Sequence, residues 1–151
     1  MKTITEGSQA PDFELPDQDG KPVVLSTLLL DGPVVLFFYP AAMTPGCTKE
    51  ACHFRDLAAE FAEVGARRVG ISTDPVDRQK QFVGAHGLDF TLLSDEDGTV
   101  ATEYGVRRRF LTPVKRATIV VDTDRTVLKV IASELNMEVH ADRALQALRS
   151  R

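Results

Sequence analysis

The chemistry open to this chain is concentrated in one stretch, Pro40-Ala41-Ala42-Met43-Thr44-Pro45-Gly46-Cys47-Thr48-Lys49-Glu50-Ala51-Cys52, which holds both of its cysteines. A thiolate is a nucleophile, a metal ligand and a redox group. Thr44 suits the N-cap of a helix and Pro45 its first position, which makes Cys47 the third helical residue. There, free backbone N–H groups and the helix dipole favour a negative sulfur. Cys52 lies one turn and a half further on. Residues five apart on a helix differ by about 140° around its axis. Cys47 therefore shares an apolar face with Ala51 and Phe54, and Cys52 a more polar side with Arg55 and Asp56. A disulfide needs Cβ atoms about 3.5–4.5 Å apart, which an intact helix does not offer this pair. The two are either independent thiols or a redox pair coupled to local unwinding.

Other cysteine chemistries fit less well. A zinc site needs three or four ligands, and Cys47, Cys52 and His53 lack a convincing fourth. A Cys–His hydrolase would need an oxyanion site and an orienting third residue, neither of which is evident. The histidines His53, His86 and His140 read as surface or half-buried residues. There is no Cys-x-x-Cys pair, which counts against a disulfide reductase.

The elements that must position these residues follow from periodicity. Asp12–Leu15 and Pro22–Leu25 read as a hairpin across Asp17-Gln18-Asp19-Gly20. Ser26–Leu30 reads as a helical turn. Val34–Tyr39 is apolar throughout, like a central strand covered on both faces. The helix after it carries Cys47, Ala51, Phe54, Ala58 and Phe61 at spacings of three and four and should run to about Val64. Arg67–Ser72 is a strand. Asp74-Pro75 should cap a second helix to about His86, with proline at the first helical position. Phe90–Leu93 is a short strand and Thr99–Tyr104 a short helix. Ala117–Val121 and Val127–Ile131 form a second hairpin, and Asn136 caps a final helix. Strands alternating with helices predict an α/β fold with a mixed central sheet.

The 151 residues suit a single domain over 1–151. A formal charge of -4 argues against nucleic acid as a partner. The longest apolar run falls far short of the ~20 residues a membrane helix needs, and no signal peptide is visible. A cytoplasmic protein is the expectation, and in a reducing compartment two cysteines point to catalysis or metal binding more than to a structural staple.

Pro40-x-x-x-Thr44-x-x-Cys47 is the signature of peroxiredoxins, and the whole run to Cys52 is similar to the bacterioferritin-comigratory-protein, or peroxiredoxin Q, subfamily. The resemblance extends through Gly7–Phe13, Gly70–Asp74, Phe90–Gly98, Tyr104–Val106 and Arg116–Asp122. It implies a thioredoxin-like fold with an N-terminal hairpin. It also implies reduction of hydrogen peroxide and organic hydroperoxides, with no metal or other cofactor. The attacking cysteine falls on Cys47 and the resolving one on Cys52. The pocket threonine falls on Thr44, the shielding proline on Pro40, and the thiolate-pairing arginine on Arg116. The glutamate that orients this arginine falls on Glu50. The peroxide-binding positions are Pro40, Thr44, Gly46 and Cys47.

The chemistry suits those roles. Sulfur displaces the terminal peroxide oxygen in line, so the site needs a thiolate and donors for the charge moving onto the leaving oxygen. A guanidinium stays charged throughout. The sulfenic acid formed on Cys47 would condense with Cys52, and thioredoxin or a similar dithiol would reopen the disulfide. A monomer or weak homodimer is expected. The alternative is a peroxide-sensing switch or interaction module on the same fold. Two departures stand out: the apolar Ala41-Ala42-Met43 loop, and a short Gly105–Arg116 segment carrying Arg107-Arg108-Arg109. That arginine run reads as a solvated loop, or else as a docking patch for an acidic reductase surface.

Overall fold

The computed structural model describes residues 3–151. A two-stranded antiparallel hairpin, β1 (Glu14–Pro16) with β2 (Pro22–Val24), comes first. Next come a helical turn α1 (Leu25–Leu28), the 3-10 turn Leu29–Asp31, and strand β3 (Val34–Phe38). Then follow α2 (Pro45–Asp56), α3 (Ala58–Glu63), β4 (Arg67–Ser72), α4 (Val76–His86), β5 (Thr91–Ser94) and α5 (Thr99–Glu103). The chain closes with β6 (Ala117–Val121), β7 (Val127–Ala132) and α6 (Glu138–Arg149).

Strand β3 organises all of this. Its five residues are apolar and buried, so it must be central and covered on both faces. It pairs in parallel with β4 and antiparallel with β6, in a mixed sheet of order β5-β4-β3-β6-β7. Leu36 and Phe38 point to the face covered by α1, α5 and residues of the hairpin. Val35, Phe37 and Tyr39 point to the other face, under α2, α3, α4 and α6. Phe37 stacks on Phe54 with ring centroids 4.3 Å apart, which fixes α2 flat on the sheet. The predicted mixed sheet flanked by helices is the one observed.

Three local expectations are corrected. The helix expected to reach Val64 breaks at Leu57, which leaves helical geometry at φ -97°, ψ 21°. The Phe54 carbonyl, whose helical donor would come from just beyond this break, accepts from Arg68 Nη1 at 2.8 Å, so an outside donor competes for it. Helix α4 begins one residue later than expected, with Pro75 at the N-cap. Asp74 does not cap it, because its Oδ2 accepts from the Ala42 N–H at 2.7 Å and the Ser72 hydroxyl at 2.6 Å. His140 is not half-buried but fully buried, on the inner face of α6.

Candidate active site

Strand β3 delivers the chain to the site. Tyr39 N–H still bonds to Ile71 across the sheet, and Pro40 then takes the backbone out of it. The loop is pinned by the Asp74 bond to Ala42 and passes through Met43 in the left-handed region (φ 68°). A non-glycine residue there carries roughly 1–2 kcal/mol of strain. Thr44 follows in extended geometry at the N-cap, and its carbonyl accepts the first helical bond from Thr48 N–H at 2.8 Å. Its side chain does not cap the helix. The hydroxyl hydrogen goes to the Ala41 carbonyl at 2.7 Å. The Thr44 oxygen is thus left with lone pairs to offer a guest.

Cys47 sits in the first turn of α2, 1% exposed. Arg116, the residue before β6, reaches across to it. Nη2 donates to Cys47 Sγ at 3.4 Å, and Nη1 donates to Glu50 Oε1 at 2.7 Å. The Arg116 backbone N–H donates to Glu134 Oε2 at 3.0 Å. Glu134 also pairs with Arg108 at 3.4 Å, and Arg107 Nη1 donates to the Asp97 carbonyl at 2.7 Å. The arginine run is therefore not a uniformly solvated loop, since Arg108 is tied through Glu134 to Arg116 and Arg107 to the turn after β5. Burial opposes the Arg116 charge, yet Glu50 and Cys47 outweigh it and hold its pKa above the usual value.

Gly46 explains how the guanidinium fits. A Cβ at this position would lie 3.2 Å from both Arg116 Nη2 and Met137 Cε, tighter than ordinary packing. Met137, at the foot of α6, packs its thioether over the helix start. Pro40 lies half-buried at the base of the loop.

Glu50 is wholly enclosed. Burial pushes its carboxyl up to about 8, against the pull of Arg116. Below it, His140 Nε2 donates to the Ser133 carbonyl at 2.8 Å, and Nδ1 lies 2.8 Å from the Thr118 hydroxyl. Burial pushes the His140 pKa below its ordinary 6.5. The pH dependence of stability follows from the two signs. Folded Glu50 keeps a proton that the unfolded chain loses, so its contribution falls as pH rises toward about 8. Folded His140 refuses a proton that the unfolded chain takes below 6.5, so its contribution falls as pH drops below 6.5. Of these two groups, only Glu50 acts between about 6.5 and 8. Stability measured by urea unfolding should decline across this window by at most about 2 kcal/mol, and Glu50→Gln should flatten the decline. An equal slope in the variant would show that another group is responsible.

Cys52 is not brought to Cys47. Both thiols are free, Cys47 buried and Cys52 half-buried on another side of α2. Arg55, whose charge is favoured first by Asp56 and then by Cys52, is near that side. Five helical residues also separate two positions by about 7.5 Å along the axis. The site thus gathers Cys47, Glu50, Arg116 and Gly46 with the Thr44 loop, and leaves Cys52 apart. His53 bonds to Asp142 at 2.7 Å across the α2–α6 seam, with Glu138 beside them. That trio offers ligand atoms within 4.8 Å of one another, but its carboxylates are exposed and already paired with His53 and Lys49.

Sequence reasoning did not find Asp74, Thr118, Glu134, Met137 or His140 as parts of this site. Each comes from a segment far from Cys47 in sequence, and although Asp74 and Thr118 lie in stretches that carry the resemblance, no local pattern assigns any of the five to the site.

Residues 7–130 match the AhpC/TSA family. The chain belongs to that family, the peroxiredoxins. The crystal structure of peroxidoxin BcpB from Mycobacterium tuberculosis superposes with a TM-score of 0.94, at 64% identity over 97% of each chain. A peroxiredoxin Q from Xanthomonas campestris gives a TM-score of 0.84 at 28% identity, covering 92% of this chain and 90% of its own. The chloroplastic peroxiredoxin Q of Sedum lineare is 45% identical over 97% of this chain and 79% of its own length. This peroxiredoxin has the thioredoxin-like fold of its relatives and is a peroxidase of the Q type. Among the described residues no helix is long and apolar enough to cross a membrane.

Proposed function

We propose that the chain reduces hydrogen peroxide and organic hydroperoxides through Cys47, that Cys52 resolves the product, and that a thioredoxin-type dithiol restores the enzyme. The observation that carries this reading is the Arg116 fork, which touches Cys47 Sγ and the buried Glu50 at once. A fixed positive charge against sulfur, in a site shielded from water, can pair with negative charge as it moves through the reaction and is itself unchanged by it.

In the first step the Cys47 thiolate attacks the terminal oxygen of HO–OR. The S–O bond forms as O–O breaks, sulfur is oxidised by two electrons, and RO⁻ leaves to take up a proton. The Cys47 backbone N–H belongs to the unpaired donors of the first helical turn and can hold a peroxide oxygen. Thr44 acts as an acceptor for the peroxide O–H, since its own hydrogen is committed to Ala41. Pro40 and the apolar Ala42 limit water around the sulfur. Gly46 leaves room for Arg116 and the guest together.

In the second step the Cys52 sulfur attacks the Cys47 sulfur, the S–S bond forms as the S–O bond breaks, and the sulfenic hydroxyl leaves with the Cys52 thiol proton as water. The helix must open first, because the folded geometry keeps the thiols on different sides. A dithiol reductant then exchanges with the exposed disulfide. The cytoplasm, where thiols are kept reduced, suits this cycle, and a monomer or weak homodimer suffices for it because both thiols lie on one chain.

Mass spectrometry after one equivalent of hydrogen peroxide tests the scheme. Loss of two hydrogens, with Cys47 and Cys52 in one linked peptide, is the expected result. An added oxygen on Cys47 with Cys52 free would keep the peroxidase and remove Cys52 as resolver. An unchanged mass would sink the reading altogether.

A further inference from the structure

Four ionisable side chains are buried together at the head of α2: Cys47, Glu50, Arg116 and His140, none more than 6% exposed. A cluster removed from water resists net charge. Arg116 supplies one positive charge. A Cys47 thiolate and a Glu50 carboxylate would supply two negative ones. Neutrality then needs one more proton.

The geometry gives that proton a place. The Ser133 carbonyl can only accept, so His140 carries a hydrogen on Nε2, and its Nδ1 offers a lone pair. Facing that lone pair are the Thr118 hydroxyl at 2.8 Å and Glu50 Oε2 at 3.6 Å. Oε2 is buried and has no hydrogen-bond partner among the described residues. An unpartnered carboxylate oxygen and an imidazole lone pair repel at this separation. A single proton on either atom replaces the repulsion with attraction at ion-pair range, and the Thr118 hydroxyl can turn to donate to Nδ1 or to accept from it.

We propose that Glu50 Oε2 and His140 Nδ1 share one proton, and that His140 is thereby a positioning residue that keeps the buried site neutral while Cys47 is a thiolate. The inference rests on the peroxidase reading above for its consequence in turnover. With the shared proton, Arg116, the thiolate and the Glu50–His140 pair sum to zero. Without it, neutrality requires Cys47 to keep its own proton. Ionising Cys47 is therefore a transfer of one proton from sulfur to the pair, with no change in buried charge. During reduction the thiolate becomes a neutral sulfenic acid, RO⁻ becomes ROH, and the proton it takes is the one the pair gives up. The site is neutral before and after. Other groups reach the pair: Arg116 from just before β6, which also touches Cys47, and Glu134 from beyond β7, which itself pairs with Arg108. Lys49 and Asp142 face outward from α2 and α6 and pair with Glu138 and His53.

The test reads Cys47 directly and needs no peroxide, so it can fail while the peroxidase stands, or the reverse. In a Cys52→Ser background, ultraviolet absorbance gives the thiolate fraction of Cys47 across pH. His140→Leu should lower that fraction at neutral pH about tenfold, the effect of one unit of proton affinity. Glu50→Gln needs no balancing proton, so adding His140→Leu to it should change nothing further. An unaltered thiolate fraction in a folded His140→Leu protein would overturn the proposal. An equal drop in the Glu50→Gln background would also overturn it, because the effect would then be one of packing. Should His140→Leu not fold, the His140 Nδ1 ¹⁵N shift of the chain with both cysteines decides. It should move in step with Cys47 ionisation, and a shift that ignores it would overturn the sharing.

Discussion

Cys47→Ser should abolish peroxide reduction, with a loss of at least about 10⁴-fold on the scale seen when other enzymes lose their nucleophile. Serine at this site is nearly isosteric, so the fold should stand. Its hydroxyl cannot ionise near neutral pH, even with Arg116 against it, and neutral oxygen is a poor nucleophile toward peroxide. Cys52 cannot substitute, because it lies outside the Arg116 fork and on another side of α2. The complementary change separates the two thiols. Cys52→Ser should still consume one equivalent of peroxide in a single turnover and then stall with thioredoxin as the reductant. Peroxide decay followed under both regimes checks this. Residual steady turnover in Cys47→Ser would move the attack to Cys52.

The second large effect belongs to Arg116. Arg116→Ala should lower kcat/KM for hydrogen peroxide by about 10²–10³-fold, the range found when one preorganised donor to a developing charge is removed. Two losses combine. Sulfur loses its charged partner, and in the proposed scheme the leaving oxygen loses a cation beside it. Breaking a buried ion pair commonly destabilises by about 3–5 kcal/mol because one charge is stranded. The loss here should be smaller, since Glu50 can stay protonated near neutral pH, with its carboxyl at about 8. Arg116→Lys separates charge from geometry. An ammonium keeps the charge but cannot send two nitrogens to Cys47 and Glu50 at once. It should recover only part of the rate, leaving about a tenfold deficit. Full activity in Arg116→Lys would mean that charge alone matters and that the fork is incidental. Unfolding curves on both variants separate a rate effect from a folding one.

Much of the fold is legible because its signals are local. The unbroken apolar run of β3 demands a central strand, and the Thr44-Pro45 pair starts α2 where expected, which puts Cys47 in its first turn. Asn136 reads as a cap, and its Oδ1 does accept the Val139 N–H at 3.2 Å, although α6 itself begins at Glu138. The α2 break and the α4 start each involve a partner from another segment. Arg68 takes the Phe54 carbonyl where α2 breaks, and Ala42 with Ser72 takes the Asp74 carboxylate that was expected to cap α4. Side chains that can satisfy either a local or a distant backbone group look the same in sequence.

The chain's own order of residues determines a cysteine in the first turn of a helix, a second thiol held away from it by helical pitch, and a mixed sheet to carry both. Those follow from capping chemistry, a 3.6-residue period and apolar patterning, which act over a few residues at a time. Only the tertiary structure decides what surrounds the sulfur. Pairing β3 with β6 places Arg116 opposite Cys47, 69 residues away, and packing α6 over α2 puts His140 beneath Glu50. A guanidinium, a carboxylate and an imidazole are ordinary surface groups until burial removes the water between them. Burial is a property of the assembled layers, and no short stretch of sequence contains it.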